Sequence, residues 1–264
     1  MATEQSMTVK APWSAPSLPP TVLWFGVVAL AWAALAHFQR ETVAILWQWM
    51  PHLAAGLRMN VLISALAIAI GTLLGAIVGA LELSHRRWVG APARGYVQVF
   101  RNTPVLVLIF FTTYVFPFEI RLGSLYLAFP DWIKATLGLA LPASAHVAEI
   151  FRGAILSITS AQWDASASLG FGRSQTLRWV ILPQCVKRVL PPWMNLYAMI
   201  TMSTTLASLV GVTELLESAK NASNTVNRTD FTVLIYLAVL TLFFLYCYPI
   251  TRFTTRLERK YAFH

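Results

Sequence analysis

His146, Glu149 and Arg152 combine chemical capability with an unfavourable address. They recur every third residue inside an apolar run from Trp132 to Ile155, which is long enough to cross a bilayer. A charge within such a run is costly and marks either a pathway or an internal pair. Glu149 and Arg152 lie one helical turn apart, so they neutralise each other or one of them meets a substrate. His146 sits one turn earlier on the same face. A second polar group, Ser203, Thr204 and Thr205, interrupts the apolar run Val186–Val212. Its hydroxyls can bond an ammonium or carboxylate in transit, or carbonyls of their own helix. Enzymatic chemistry has little support, because GxxxxGK[ST], GxSxG and HExxH are missing. The nearest approach to a metal pair is the lone His146–Glu149 spacing. The chain reads as a conduit without its own energy source.

The longest interior stretch that a bilayer would reject is SAQWDASASLGFGRSQTLRWVILP, from Ser160 to Pro183. Ser160 is suited to cap a short helix over Ala161–Leu169, and Gly170 to end it in a left-handed turn. Another helical turn is expected after Ser174, with Pro183 opening the next segment. A stiff polar helix held crosswise between membrane helices is a handle for something in the aqueous phase. The alternative is an ordinary polar loop.

These residues need membrane elements to hold them. Of 264 residues, 57% are hydrophobic and 12% charged, against about 25% charged in a soluble domain. The net charge of +9 comes from basic residues beside apolar spans. That pattern indicates membrane anchoring and argues against nucleic acid. Cys185 and Cys247 lie in or beside spans without CxxC spacing, so neither a disulfide framework nor a zinc site is indicated.

Residues 1–20, with Pro12, Pro16, Pro19 and Pro20, read as a disordered tail and not as a signal peptide. Thr21–Phe38 is a candidate span, followed by an interfacial segment Glu41–Met50 carrying Trp47 and Trp49. Core spans follow at Leu53–Leu81, Val97–Pro117, Trp132–Ile155 (interrupted at Pro142), Val186–Val212 and Phe231–Arg252. Ser84–Tyr96 and Phe118–Asp131 are expected to be loops. Ala67, Gly71, Gly75 and Gly79 place a small residue every fourth position, a stripe that lets a neighbouring helix approach closely.

If the stretch 157–183 is cytoplasmic, one side receives Lys10, Arg86, Arg87, Arg94, Arg101, Arg152, Arg173, Arg178, Lys187, Arg188, Arg252, Arg256, Arg259 and Lys260. The other receives Arg40, Arg58, Arg121, Lys134, Lys220 and Arg228. That asymmetry satisfies the positive-inside rule and puts both termini in the cytoplasm.

Asp164-Ala165-Ser166, then Gly170, then Val180-Ile181-Leu182-Pro183 resembles the EAA loop of bacterial ABC importer permeases. Phe100-Arg101-Asn102-Thr103-Pro104 upstream, Glu149-Ile150-Phe151-Arg152-Gly153 before the loop and Leu190-Pro191-Pro192 after it narrow the resemblance. They point to the polar amino acid uptake branch (histidine, glutamate, glutamine and arginine permeases), over Leu57 to Lys260. The resemblance implies an all-α integral membrane fold, a type I importer transmembrane domain with five core spans plus one extra N-terminal span. The permease domain would cover 53–256, with residues 21–52 before it and a cytoplasmic tail at 257–264.

It further implies a subunit of the bacterial inner membrane that moves a polar or charged amino acid inward by alternating access. The cargo would come from a periplasmic binding protein, docked on the outer loops 39–52 and 118–131 and the polar segment Gly211–Asp230. Motion would come from two copies of a cytoplasmic ATPase subunit, which hold the ATP and Mg. This chain would hold no cofactor. A second permease, paralogous or identical, would complete the membrane unit. Gln162, Asp164, Ala165, Ser166, Leu169 and Gly170 would form the ATPase-coupling helix.

His146, Glu149, Ser203, Thr204 and Thr205 would line the path. Arg101, Thr103, Pro104, Arg152 and Pro183 would be structural or gating residues, with Arg101 anchoring a span end at the membrane surface. Two departures stand out. The family's usual glutamate is Asp164 here, and its Lys-Asp/Asn-Thr-Ser-Leu is Met202-Ser203-Thr204-Thr205-Leu206. The missing lysine favours a heterodimer in which the partner holds the site. A secondary transporter or channel would instead ordinarily show internal repeats, and no block recurs.

Overall fold

The computed structural model describes residues 40–122 and 125–261, together with Gly26, Ala29, Leu30, Trp32 and Ala33. The tail 1–20, nearly all of the Thr21–Phe38 span and residues 262–264 lie outside the described residues. Among those described, the order is α1 (Arg40–Glu82), α2 (Arg87–Asn102), α3 (Val105–Val115), β1 (Glu119–Leu122), β2 (Leu125–Ala128), α4 (Asp131–Leu156) and α5 (Ser160–Ser168). Then come α6 (Arg173–Thr176), α7 (Leu182–Ser203), α8 (Leu215–Val226) and α9 (Thr229–Tyr261). A π-helical turn joins α6 to α7, and a 3-10 segment, Thr204–Val210, follows α7. Helices α1, α4 and α9 are each long and apolar enough to cross a membrane.

Several boundaries differ from the sequence expectation. Glu41–Met50 is no separate interfacial segment but the opening turns of the 43-residue α1, which runs straight through Pro51. Leu46 and Leu53 explain why. Both are buried in one cluster with Leu215, Phe231 and Leu234, so the burial pattern continues across the proline. Ser84–Tyr96 is mostly helix α2, because Gly90, Ala93 and Val97 bury one face while the other stays polar.

The expected span Val97–Pro117 is broken at Thr103, which leaves the helical region (ψ 131) before Pro104. Phe118–Asp131 contains an antiparallel hairpin pairing Glu119 with Ala128 and Leu122 with Leu125. Pro142 does not interrupt α4. Ser160 is the first residue of α5, and Thr159 takes the cap position. Helix α9 continues to Tyr261, so residues 257–261 are the last turns of the same helix.

Helices α1 and α4 run in the same direction, and the glycine stripe is their seam. A Cβ on Gly71 would lie 2.7 Å from the Ala143 Cβ, and one on Gly79 would lie 2.9 Å from the Ala148 carbonyl oxygen. Gly75 is tightest, with the Ser144 oxygen 2.5 Å and the Val147 Cβ 2.6 Å from the same construction. The obstacle is backbone, so a side chain here must push the helices apart. Gly75→Leu is expected to cost about 1–3 kcal/mol, lowering the thermal unfolding midpoint of the detergent-purified protein. An unchanged midpoint would mean that the seam is not a stability determinant.

The main core gathers Ile63 and Ala67 from α1, Ile109 from α3, Leu139 and Ala143 from α4, and Ile200 from α7. At the opposite end from α5, the Thr42 hydroxyl donates to Asp230 at 2.7 Å, tying the start of α1 to the start of α9. The Arg228 guanidinium, and then Thr42, hold the Asp230 carboxyl well below the usual carboxylate range. A depressed carboxyl stabilises the fold above its unfolded pKa. That contribution is lost only as pH falls through the lower folded value.

Candidate substrate path and coupling surface

Helix α4 carries His146, Glu149 and Arg152 down one side toward α5, and the ends of two other elements close on that side. Arg101, in the last turn of α2, brings its Nη1 to 3.5 Å from Glu149 Oε2. Arg152 meets Glu149 Oε1 with its Nη2 at 2.6 Å and Oε2 with its Nε at 3.3 Å. Arg188, from the start of α7, donates through Nη1 to the Ser157 carbonyl at 2.7 Å and to its hydroxyl at 2.6 Å. Together with Ile150, Gly153, Ala154, Ser157 and Pro192, the residues Arg101, His146, Glu149 and Arg188 line a cleft of about 400 Å³.

Arg101 therefore does not serve only as a surface anchor. The Thr103–Pro104 break lets α2 stop where its last turn reaches Glu149. Thr103 assists by donating its hydroxyl to the Val99 carbonyl at 2.7 Å. Neither the Arg101–Glu149 contact nor the arrival of Arg188 has a local sequence signal. Both pairs are remote along the chain, and helix packing alone unites them.

The structure does not bring the hydroxyl run to this cleft. Ser203 donates to the Met199 carbonyl, Thr204 to Thr201 and Thr205 to Met202, at 2.9, 2.7 and 3.0 Å. Thr204 is wholly buried, so in this conformation it lines no path. Instead it accepts a hydrogen bond from Asn60 Nδ2 at 2.9 Å, while the same amide donates to Glu214 Oε2 at 2.8 Å. Asn60 Oδ1 accepts from the Leu215 N–H at 3.0 Å, and Glu214 Oε1 from the Glu217 N–H at 3.0 Å, capping α8.

Asn60, Thr204 and Glu214 are all inaccessible to solvent. They form a closed polar node joining α1, the 3-10 segment and α8. The sequence reading missed it. The available signal was Asn60, an amide two residues after Arg58 in the mostly apolar run Leu53–Leu81. Lys134 is another buried polar group, a cation this time. Its Nζ lies 3.1 Å from Asp131 Oδ1 and 3.7 Å from the centroid of the Phe118 ring at the hairpin base.

Helix α5 presents Gln162, Asp164, Ala165 and Leu169 to solvent, whereas Ser166 is buried and donates to the Gln162 carbonyl at 2.8 Å. Gly170 has φ +77. Its N–H donates to Ala167 O at 2.9 Å, and the Phe171 N–H to Ser166 O at 3.1 Å. This paired arrangement is the Schellman ending, which places a residue in the left-handed region and favours glycine there. Pro183 is the second residue of α7, just past the π-helical turn.

The fold is that of a helical domain with membrane-spanning helices and an exposed helix at one end. Residues 71–262 match the family described as binding-protein-dependent transport system inner membrane component. The chain belongs to that family. It is 31% identical over 212 residues to the probable amino-acid ABC transporter permease protein YckA of Bacillus subtilis, covering 80% of this chain and 90% of that protein. It is 33% identical over 177 residues to the octopine transport system permease protein OccM of Rhizobium radiobacter, covering 65% and 71% of the two chains.

Similarity to the glutamine transport system permease protein GlnP of Escherichia coli K12 is 31% over 170 residues, covering 64% and 76%. Among solved structures, an amino acid ABC transporter with histidines superposes with a TM-score of 0.70 at 24% identity, covering 81% of this chain and 96% of that one. An inward-facing form of the MetNI methionine ABC transporter gives 0.62 at 18% identity, covering 80% and 97%. At these identities the likeness establishes the fold, that of an ABC importer transmembrane domain.

Proposed function

We propose that this subunit moves a polar or charged amino acid into the cytoplasm by alternating access. Cargo comes from a periplasmic binding protein, and two cytoplasmic ATPase subunits, holding ATP and Mg, supply the motion. The observation that carries this reading is the placement of the charged cleft directly behind an exposed, rigidly ended helix. Ser157 lines the cleft at the end of α4, and α5 begins three residues later at Ser160. A displacement applied to α5 is thereby delivered to the ends of α4 and α7 that flank Glu149 and Arg188.

The α5 end of the bundle is cytosolic in this reading, because the basic residues concentrate there. Asp164, Ala165 and Leu169 make the outward contact with the ATPase, and Gly170 fixes the angle at which the chain returns. Gln162 reaches Gln184 of α7 at 3.3 Å, a direct link from the handle to the next span.

Within the cleft, Glu149 offers a carboxylate to a substrate ammonium, and the neighbouring guanidiniums offer charge to a substrate carboxylate. His146 stands at the upper wall. Met202, where relatives of the amino acid branch carry lysine, is exposed on α7 and faces the second permease, which we take to be a paralogue.

Glu149→Gln removes the charge that brackets Arg101 and Arg152. A charge-assisted hydrogen bond from a substrate ammonium to that carboxylate is worth about 1.5–3 kcal/mol, so the substrate concentration for half-maximal uptake should rise about tenfold or more. His146→Ala should produce a smaller rise. Proteoliposome uptake with the full complex measures both. Normal apparent affinity in both variants would move the membrane site to the partner permease.

A further inference from the structure

The C-terminal end of α9 carries a charged face that neither the cleft nor the coupling helix uses. Between Asp230 and Arg252 the helix contains no charged residue, from Phe231 to Thr251. At 1.5 Å per residue that run extends about 31 Å, the thickness of the bilayer's hydrocarbon core. Arg252 therefore emerges at the headgroup plane. Arg256 lies about 6 Å beyond it, still within a headgroup layer about 5–7 Å deep.

Tyr248, Arg252, Thr255 and Arg259 recur at helical spacing with Thr251 and Arg256 beside them. They are the described lining of a cleft of about 340 Å³. The face is built. The Tyr248 hydroxyl accepts from Arg252 Nη1 at 2.7 Å, and its ring centroid lies 5.9 Å from the guanidinium carbon. Thr251 and Thr255 spend their protons on the Cys247 and Thr251 carbonyls. The charged donors on this face are therefore the guanidiniums.

Among the described residues, no carboxylate makes an ion pair with Arg252, Arg256 or Arg259. Three like charges stacked on one helix face repel one another unless an anion lies between them. Exposed Leu245, nearer the bilayer centre, continues the face as an apolar surface along which an acyl chain can lie.

We propose that this face binds the headgroup of an anionic phospholipid, with Arg252 and Arg256 clamping the phosphate and Arg259 flanking it from the aqueous side. The inference depends only on α9 crossing the bilayer and stands apart from the transport mechanism. Its test uses the full chain, purified in detergent and depleted of lipid, and titrated separately with dioctanoyl phosphatidylglycerol, dioctanoyl phosphatidylcholine and inorganic phosphate. Bound species are counted by intact-protein mass spectrometry.

Phosphatidylglycerol should be retained in preference to both other ligands. Arg252→Gln/Arg256→Gln should weaken that retention on the order of thirtyfold, the effect of two basic residues at a lipid surface. Arg86→Gln/Arg87→Gln, which removes equal charge elsewhere, should leave it within about twofold. Equal binding of the two lipids, an equal loss in the control variant, or inorganic phosphate binding as tightly as phosphatidylglycerol would each overturn the proposal.

Discussion

Replacing Gly170 with valine is expected to leave the protein in the membrane and disconnect it from ATP hydrolysis. The reason is conformational and not steric, since a Cβ at Gly170 would meet no atom within 4 Å. The strain comes from φ +77, where an L-residue costs about 1–2 kcal/mol and a β-branched residue more. Escaping that strain means abandoning the bonds from Gly170 and Phe171 to Ala167 and Ser166 that close α5.

A penalty of that size depopulates the docked geometry by roughly 5- to 30-fold. Transport compounds this loss, because a handle that yields absorbs displacement instead of passing it on. Substrate-stimulated ATPase activity and uptake in proteoliposomes should both fall at least tenfold, while membrane yield stays unchanged. Gly172 has an ordinary φ of −68, so Gly172→Ala is the matched control and should transport normally. Undiminished uptake by Gly170→Val would mean that α5 transmits nothing.

The second large effect is expected at Asn60, far from both cleft and handle. Asn60→Leu keeps the branched outline of the side chain, with some added volume, but leaves Glu214, the Leu215 N–H and the Thr204 hydroxyl without their shared partner in a solvent-free site. Stranding buried polar or charged groups costs about 2–5 kcal/mol, a large share of the stability of any membrane domain. A drop of that order in the unfolding free energy should be visible by thermal or denaturant titration in detergent.

Asn60→Leu combined with Glu214→Leu removes both sides of the strongest contact, so the paired loss should be smaller than the sum of the single losses. If Asn60→Leu matches the parent in stability, the node is not what holds the α7–α8 break. The node also assigns a role to Thr204. Its hydroxyl supports the 3-10 segment and does not line a channel.

The difference between what could and could not be read from residues follows the range of the interactions. Gly170 as a left-handed stop, the polar helix before it and the small-residue face of α1 are set by neighbours within a turn or two. The seam glycines carry their function in their own missing side chains. Pro51 and Pro142 were harder. A proline's local cost is visible in sequence, while the burial that continues past it, of Leu46 and Leu53 around Pro51 and of Leu139 and Ala143 around Pro142, belongs to contacts with other helices.

The amphipathic α2 is masked in the sequence, because Arg86, Arg87 and Arg94 give it a polar look and its buried face (Gly90, Ala93, Val97) is small and weakly apolar. At the candidate site, His146, Glu149 and Arg152 announced themselves by being polar within a span. Arg101 and Arg188 did not, since each is an unremarkable basic residue beside a membrane until the helices are assembled.

The coupling role of α5 requires that it lie in the cytosol against an ATPase subunit. Asp164→Cys examines that directly, since the native thiols Cys185 and Cys247 are buried and contribute little background. In sealed vesicles, a membrane-impermeant thiol reagent should reach position 164 only from the cytosolic side. Reaction should be blocked when the ATPase subunit is bound, and a short bifunctional crosslinker should join the two chains. Labelling from the periplasmic side, or labelling and crosslinking indifferent to the ATPase subunit, would contradict the coupling role of α5.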